Sequence, residues 1–61
     1  MRLGDLVTRK SHNHDVIFCI IGFRTDSQGR SIAILKALYN AAFIVDAPLD
    51  DLVSVLPERR L

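Results

Sequence analysis

The sequence predicts a small all-β domain, and three observations lead to that prediction. Apolar and β-branched residues come in short runs, and residues 16–23 form the strongest of them. Polar, turn-forming segments separate the runs, at residues 11–15 and again at 26–29. The chain has 61 residues and contains no apolar stretch near the roughly 20 residues that a membrane-spanning helix needs. We therefore predict one domain built from about five short strands.

The first half of the chain predicts two strands and two turns. Residues 3–10 are the first strand, and Gly4 permits an unusual backbone conformation where the chain enters it. Residues 11–15 are polar and form the turn to a longer second strand at residues 16–23. Residues 24–30 then form a polar loop with its tight turn at Asp26 to Gly29.

Residues 31–45 fit two different periodicities. With a period of two they form a hairpin whose turn lies near Tyr39 and Asn40. With a period of 3.6 they form one amphipathic helix with Ser31 as its N-cap. The apolar stripe of that helix would consist of Ile32, Leu35, Tyr39, Ala42 and Phe43. We prefer the hairpin, because the neighbouring apolar runs are short and bounded by turns.

The end of the chain predicts a helical turn and a last strand. Residues 46–51 read as one turn of 3-10 or α-helix, with its acidic residues capping the start and facing the positive end of the local dipole. Residues 52–56 form a short strand that Pro57 ends. This order predicts an SH3-like barrel over residues 1–57, followed by the start of a linker at residues 58–61. Closing the sheet would hide its edges.

The composition excludes several classes of protein. Eight basic and seven acidic residues give a net charge of +1, so no bulk field attracts nucleic acid or a membrane surface. One cysteine cannot form an internal disulfide, which fits a reducing compartment such as the cytoplasm. The apolar run lies too far from the N-terminus and is too short for a signal peptide.

Histidine and acidic residues in the first turn suggest a metal site. His12, His14 and Asp15 are close enough in sequence for two imidazoles and a carboxylate to share a cation. Further ligands would have to come from distant acidic residues, namely Asp46, Asp50 and Asp51. These acids lack the spacing of a calcium loop, and a His-x-His pair in a polar turn is commonly just solvated. We interpret the segment as a solvated turn and assign no metal ligand or cofactor.

Two groups of residues have the chemistry of a nucleophile. Cys19 lies in the most apolar run, unlike the accessible, electropositive setting of a catalytic thiolate, and we interpret it as a small filler residue. Ser11, His12 and Asp15 contain the residue types of a catalytic triad, but residues so close in one turn rarely reach each other in the required geometry. We therefore assign no catalytic residue.

The basic residues offer a nucleic-acid alternative. They are Arg2, Arg9, Lys10, Arg24 and Arg30, which one side of a barrel of the KOW type could gather. Such a surface needs excess positive charge and exposed aromatic rings for stacking. The three phenylalanines lie in strand-like runs, and Tyr39 alone cannot build an aromatic cage for a cation. A solvated surface of mixed charge is the preferred interpretation.

The chain is unusually apolar for its size, with 49% hydrophobic residues. Residues 16–23 are apolar on both faces of the predicted strand, although a small barrel has one interior. Either the strand bends so that both faces serve one core, which we favour, or one face is a docking surface. For binding loops, residues 11–15 and 24–30 are the first candidates.

Four separated segments carry a resemblance to a known family. They read GDLVTRKS at 4–11, DVIF with IIG between 15 and 22, SIAIL at 31–35 and DAPLDDLV at 46–53. The chain resembles the N-terminal part of the YabG family of sporulation-specific proteases, peptidase family U57. The resemblance implies the leading domain of a cysteine-type peptidase that processes spore coat proteins, with its catalytic residues downstream of this chain.

For this chain the resemblance implies membership without a site. We expect a non-catalytic domain for protein interaction, targeting or regulation in a sporulating cell, while the full-length parent resembles a sporulation-specific peptidase. Its expected partners are spore coat proteins or the catalytic domain of the same chain. A membrane is excluded as a partner, and we do not expect nucleic acid to be one.

Overall fold

The structure, a computed structural model, describes residues 1–55. It contains five strands and two 3-10 turns, which we label η1 and η2. In chain order they are β1 (Leu6–Arg9), η1 (Lys10–His12), β2 (Phe18–Thr25), β3 (Ser31–Ala37), β4 (Asn40–Pro48), η2 (Leu49–Asp51) and β5 (Leu52–Ser54).

All five strands belong to one antiparallel sheet with the order β4-β3-β2-β1-β5. Strands β1 to β4 follow one another as a meander, and β5 returns to pair with β1. The predicted all-β domain of five strands, with a 3-10 turn before the last, is confirmed, and its topology fits an SH3-like fold. The predicted closure differs, since β4 and β5 form no pair with each other in residues 1–55. They remain the two edges of an open sheet.

Several strand boundaries differ from those predicted. Strand β1 begins at Leu6 instead of residue 3, because Gly4 adopts a φ of +88° and turns the chain. Gly4 N still donates to Ile20 O at 2.8 Å, so this segment remains attached to β2. Strand β2 runs from Phe18 to Thr25 instead of over residues 16–23. Strand β5 ends at Ser54, while Leu56, Pro57 and the predicted linker 58–61 lie outside the described residues.

Residues 31–45 form the predicted hairpin, and the alternative helix is wrong. Strands β3 and β4 pair in register from Ile32 with Pro48 to Lys36 with Ile44, and the turn contains Leu38 and Tyr39. The ladder buries alternate residues such as Ala33 and Leu35 completely. Pairing with neighbours on both sides therefore outweighs the helical propensity of a segment rich in alanine and leucine.

The predicted helical turn before the last strand is present but shorter, because β4 continues to Pro48 and η2 covers only Leu49–Asp51. The predicted capping role of the acidic residues is wrong. Neither 3-10 turn has a side-chain cap hydrogen bond. Asp46 instead forms an ion pair with Arg24, and Asp51 accepts hydrogen bonds from Ser11.

The core lies on the concave side of the sheet. Its largest fully buried side chains are those of Val7, Phe18, Ile20 and Leu35. The other buried residues of the cluster are Ala33, Ala37, Ala47 and Leu52. Strands β1, β2 and β3 thus supply the four largest fully buried side chains, and β4 and β5 add Ala47 and Leu52.

A β-bulge bends β2 in its middle. Ile20 pairs with Leu35 and Gly22 pairs with Ile34, so Ile21 is the extra residue. The strand therefore bends as predicted, but the prediction that both of its faces serve one core is wrong in part. Phe18 and Ile20 are buried, whereas Ile21 and Phe23 remain 43% and 41% exposed.

Candidate interaction surfaces

The first predicted binding loop, residues 11–15, is attached to the end of the sheet. Ser11 donates from its backbone N to Asp51 Oδ1 at 2.9 Å and from its hydroxyl to Asp51 Oδ2 at 2.7 Å. The serine hydroxyl bond is the main cause that lowers the pKa of Asp51 below its usual value. This pair, the Ser11–Asp51 clamp, joins η1 to η2 across 40 residues of chain.

The two histidines of this loop have different partners. His12 Nδ1 lies 2.9 Å from the Ser11 hydroxyl, and His14 Nδ1 lies 2.7 Å from the hydroxyl of the buried Thr8. Residues 1–55 contain no group of three or more His, Cys, Asp or Glu side chains arranged to hold a metal ion. The side chains of Ser11 and His12 are in contact, but the serine hydroxyl donates its hydrogen bond to Asp51. The serine-to-histidine-to-carboxylate chain of hydrogen bonds of a catalytic triad is therefore not formed.

The second predicted loop, residues 24–30, is a tight turn organised by one carboxylate. Asp26 Oδ1 accepts from the backbone N of Gln28 at 2.8 Å and of Arg30 at 2.9 Å, and Oδ2 accepts from Arg30 Nε at 2.8 Å. The backbone bond from Arg30 is the first cause that lowers the pKa of Asp26. Gly29, with a φ of +82°, supplies the left-handed residue that the turn requires.

Three of the five basic residues proposed for nucleic-acid binding have other partners. Arg24 and Arg30 form ion pairs with Asp46 and Asp26. The Arg9 guanidinium lies 4.9 Å from the centroid of the Phe18 ring. Its Nε is buried without a hydrogen-bond partner among the described residues. No observation on residues 1–55 therefore favours the KOW-type alternative.

Cys19 lies half-buried on the convex face of the sheet. It pairs with Leu6 of β1 and Lys36 of β3, and its thiol contacts Ile20 O at 3.8 Å. Its cross-strand neighbours are thus a leucine and a lysine. Neither is a histidine, the general base that commonly activates a catalytic cysteine. This position fits the filler role predicted for Cys19.

The convex side of β2, β3 and β4 carries an apolar surface, which we call the outer face. Ile44 pairs with Lys36, which pairs on its other side with Cys19, and Ile34 pairs with Gly22 beside the bulged Ile21. Ile44 is 52% exposed and Ile21 43% exposed, while Ile34 is half-buried. A cluster of isoleucines open to solvent on a sheet face marks a candidate interaction surface.

A cavity of about 360 Å³ lies beside the β3–β4 turn, and we call it the turn cavity. Its lining residues come from the segment before β2 and from the hairpin: Asp15, Val16, Ile17, Ala37, Tyr39, Asn40 and Phe43. The Phe43 ring packs at a tilt against the core ring of Phe18, with 5.6 Å between centroids. Sequence reasoning found Tyr39 but missed that the hairpin brings Phe43 and Asp15 beside it.

A second cavity of about 250 Å³ lies between the 24–30 loop and η2. It is lined by Arg30, Ser31, Pro48, Leu49 and Asp50. Each of the two predicted binding loops therefore contributes one residue to a cavity, Asp15 to the first and Arg30 to the second. Most other polar groups of these loops are bonded within the domain.

The comparisons with known proteins agree with the resemblance in the sequence. Residues 2–60 match the family described as YabG peptidase U57, and the chain belongs to this family. It is similar to the sporulation-specific protease YabG of Bacillus subtilis (strain 168), with 42% identity over 60 residues. That alignment covers 98% of this chain and 20% of the relative, so the chain spans about one fifth of the relative's length. No solved structure matches the chain.

The described part of the chain contains no helix that is long and apolar enough to cross a membrane. Its helical residues are confined to two 3-10 turns of three residues each.

Proposed function

We propose that this chain is the non-catalytic N-terminal domain of a sporulation-specific protease that processes spore coat proteins. Its role is protein interaction, and the outer face docks against the catalytic region of the same polypeptide. Two findings support the proposal: membership of the YabG peptidase family and a relative five times longer than the matched segment. The domain would work in the cytoplasm of a sporulating cell, at the forming coat.

The observation that carries the docking role is the exposure of Ile21 and Ile44 on the outer face. Burying apolar surface contributes about 25 cal/mol per Å², so an apolar face left in water is stabilised when another surface covers it. Interfaces between domains of one chain typically bury about 600–1,500 Å², which one face of a small sheet can supply. Lys36 and the Arg24–Asp46 pair lie on the same side and give the surface a polar rim.

Docking of this kind positions the catalytic region without any chemistry in the domain itself. A domain held against the catalytic region can restrain it or present it to large substrates. Coat proteins are the alternative occupant of the outer face, and the proposed experiment separates the two.

The test compares the full-length protease with a form that lacks residues 1–61. Both are assayed on a short peptide and on an intact coat protein. Docking against the catalytic region predicts that the deletion changes the rate on both substrates. A loss of activity confined to the coat protein would show recruitment of substrate instead. If the two forms of the protease cleave each substrate at the same rate, an interaction role is contradicted.

Single substitutions in the full-length protease locate the surface. Ile44→Asp places a charge on the outer face and should reproduce the effect of the deletion. Leu3→Asp is the matched control, because Leu3 is a 64% exposed apolar residue that precedes β1 and lies outside the outer face. An equal effect of the two substitutions would contradict docking through the outer face.

A further inference from the structure

We propose that the turn cavity binds the basic side chain, lysine or arginine, of a protein partner, through the carboxylate of Asp15 and the rings of Tyr39 and Phe43. The inference deepens the proposed function by naming what one surface recognises. It depends on the proposed function only for the statement that the partner is a protein. The turn cavity and the outer face have no lining residue in common, so each can be tested alone.

The lining of the turn cavity matches the two parts of a long basic side chain. Val16, Ile17 and Ala37 provide apolar surface, against which the methylene stem of a lysine or arginine can pack. The rings of Tyr39 and Phe43 and the carboxylate of Asp15 complete the lining, and these groups can hold the charged end. A cation over an aromatic face is attracted by the quadrupole of the ring. At about 360 Å³ the cavity is near the lower limit for ligand sites, which fits one side chain.

The charges around the cavity favour a cation. Asp15 takes part in neither of the two ion pairs of the described residues. The side-chain oxygen of Asn40 accepts a hydrogen bond from the backbone N of Ala42 at 3.2 Å. The Asp15 carboxylate is the anionic group among the lining residues. No residue that lines the cavity is basic. The nearby cation Arg9 is directed to the ring of Phe18 in the core.

The fold holds the walls of the cavity in place before a ligand arrives. Leu38 N donates to Ile17 O at 2.9 Å, which ties the hairpin turn to the segment before β2. Phe43 packs on Phe18, whose side chain is fully buried. Tyr39 is 87% exposed, so a bound side chain has a free aromatic surface to cover. Because these walls are formed before binding, ordering them costs no entropy when the ligand binds.

Tyr39 also provides a specific signal for the test. It is the only tyrosine of the chain, and there is no tryptophan, so the intrinsic fluorescence comes from the cavity itself. The probes are three capped tripeptides, Gly-Lys-Gly, Gly-Arg-Gly and Gly-norleucine-Gly. Norleucine keeps the apolar stem and lacks the charge. We expect the two basic peptides to change the fluorescence and to bind at least about threefold more tightly than the norleucine peptide.

Substitutions assign the binding to the residues. Asp15→Asn should weaken the lysine peptide about two- to fivefold, as expected for an exposed ion pair, and should leave the norleucine peptide unchanged. Phe43→Leu should weaken both basic peptides about two- to fivefold. Asp15→Glu should retain binding. Asp50→Asn is the matched control, since it removes an equally exposed carboxylate that lies outside this cavity.

Three results would overturn the proposal. They are equal binding of the norleucine and lysine peptides, lysine binding that Asp15→Asn leaves unchanged, and no response to any of the peptides. A folded state for each variant is checked by its far-ultraviolet circular dichroism. Ile44→Asp on the outer face should not change peptide affinity, so failure of the docking role and failure of this site give different results.

Discussion

The two sides of the sheet differ in what covers their apolar residues. On the concave side Leu35 is fully buried, with Ile20 and Val45 beside it in the ladder. On the convex side Ile44, next to Val45 in β4, is half exposed. Both sides carry apolar side chains, but only those of the concave side pack against one another in a core.

This difference shows that the bend at Ile21, together with the return of β5, decides which residues form the core. The bend wraps the sheet around one interior, and Ile21 and Ile44 on its convex side are left to solvent or to a partner. These two exposed residues therefore contribute little to the stability of the isolated domain. Substitutions on the two sides should separate stability from interaction.

The largest expected effect is that of Leu35→Ala on the concave side. A domain of 61 residues has a free energy of unfolding of about 3–9 kcal/mol. Truncating a buried leucine to alanine costs about 2–5 kcal/mol, because a cavity remains in the core. We expect the midpoint of thermal unfolding to fall by about 10 °C or more, followed by circular dichroism. A change of less than about 3 °C would contradict the assignment of Leu35 to the core.

A smaller effect on stability is expected when the Ser11–Asp51 clamp is removed, which joins the two 3-10 turns η1 and η2. The pKa of Asp51 is lowered in the folded state from the usual 3.8, so the clamp stabilises the domain above that pH. This contribution is lost as the pH falls from 3.8 through the lowered pKa. Asp51→Asn should therefore lower the urea midpoint at neutral pH and make the midpoint less sensitive to acid.

The control for the clamp is Asp50→Asn. Asp50 precedes Asp51 in the same 3-10 turn and is exposed, with no hydrogen bond or ion pair in the described part of the chain. Its substitution should leave the acid dependence of the urea midpoint unchanged. The Asp26 turn, whose carboxylate pKa is also lowered, keeps part of the acid sensitivity in every variant. If the urea midpoints of Asp51→Asn and Asp50→Asn depend on pH in the same way, the clamp does not contribute to the stability of the domain.

The strands could be predicted from the sequence because local patterns determine them. Short β-branched runs between polar turns gave five strands in the right order, and the hairpin near Tyr39 followed from a period of two. The boundaries at residues 3 and 16 were wrong, since Gly4 turns the chain before β1 and the segment before β2 turns toward the hairpin. Composition cannot locate such boundaries, because the same residue types occur on both sides of them.

The interaction surfaces could be predicted only in part, because they depend on pairing between distant residues. The apolar surplus in residues 16–23 was visible, but the bulge that exposes Ile21 follows from its register with β3. The contact of Ser11 with Asp51 spans 40 residues, and no local signal marks it. Asp15 and Phe43 were each found in the sequence, but only the fold places them around one cavity.

A smaller effect on stability is expected from Ile44→Ala on the convex side. This substitution matches Leu35→Ala in type, since both remove most of an aliphatic side chain from the same hairpin. Ile44 is 52% exposed, so the substitution should change the free energy of unfolding of the domain by about 0.5 kcal/mol or less. Urea titrations of the two variants measure the contrast. A loss as large as that of Leu35→Ala would contradict the distinction between the two sides.

The smallest effect is expected from Cys19→Ser, which tests whether this half-buried position on the convex side has any chemical role. The substitution keeps the size of the side chain, and the thiol makes only a 3.8 Å contact with Ile20 O. The urea midpoint of the domain and the peptidase activity of the full-length protease should both remain within error. Loss of activity in a variant that is folded by circular dichroism would show that Cys19 acts in the reaction. In that case the convex side would carry chemistry, and its exposure could no longer be explained by docking alone.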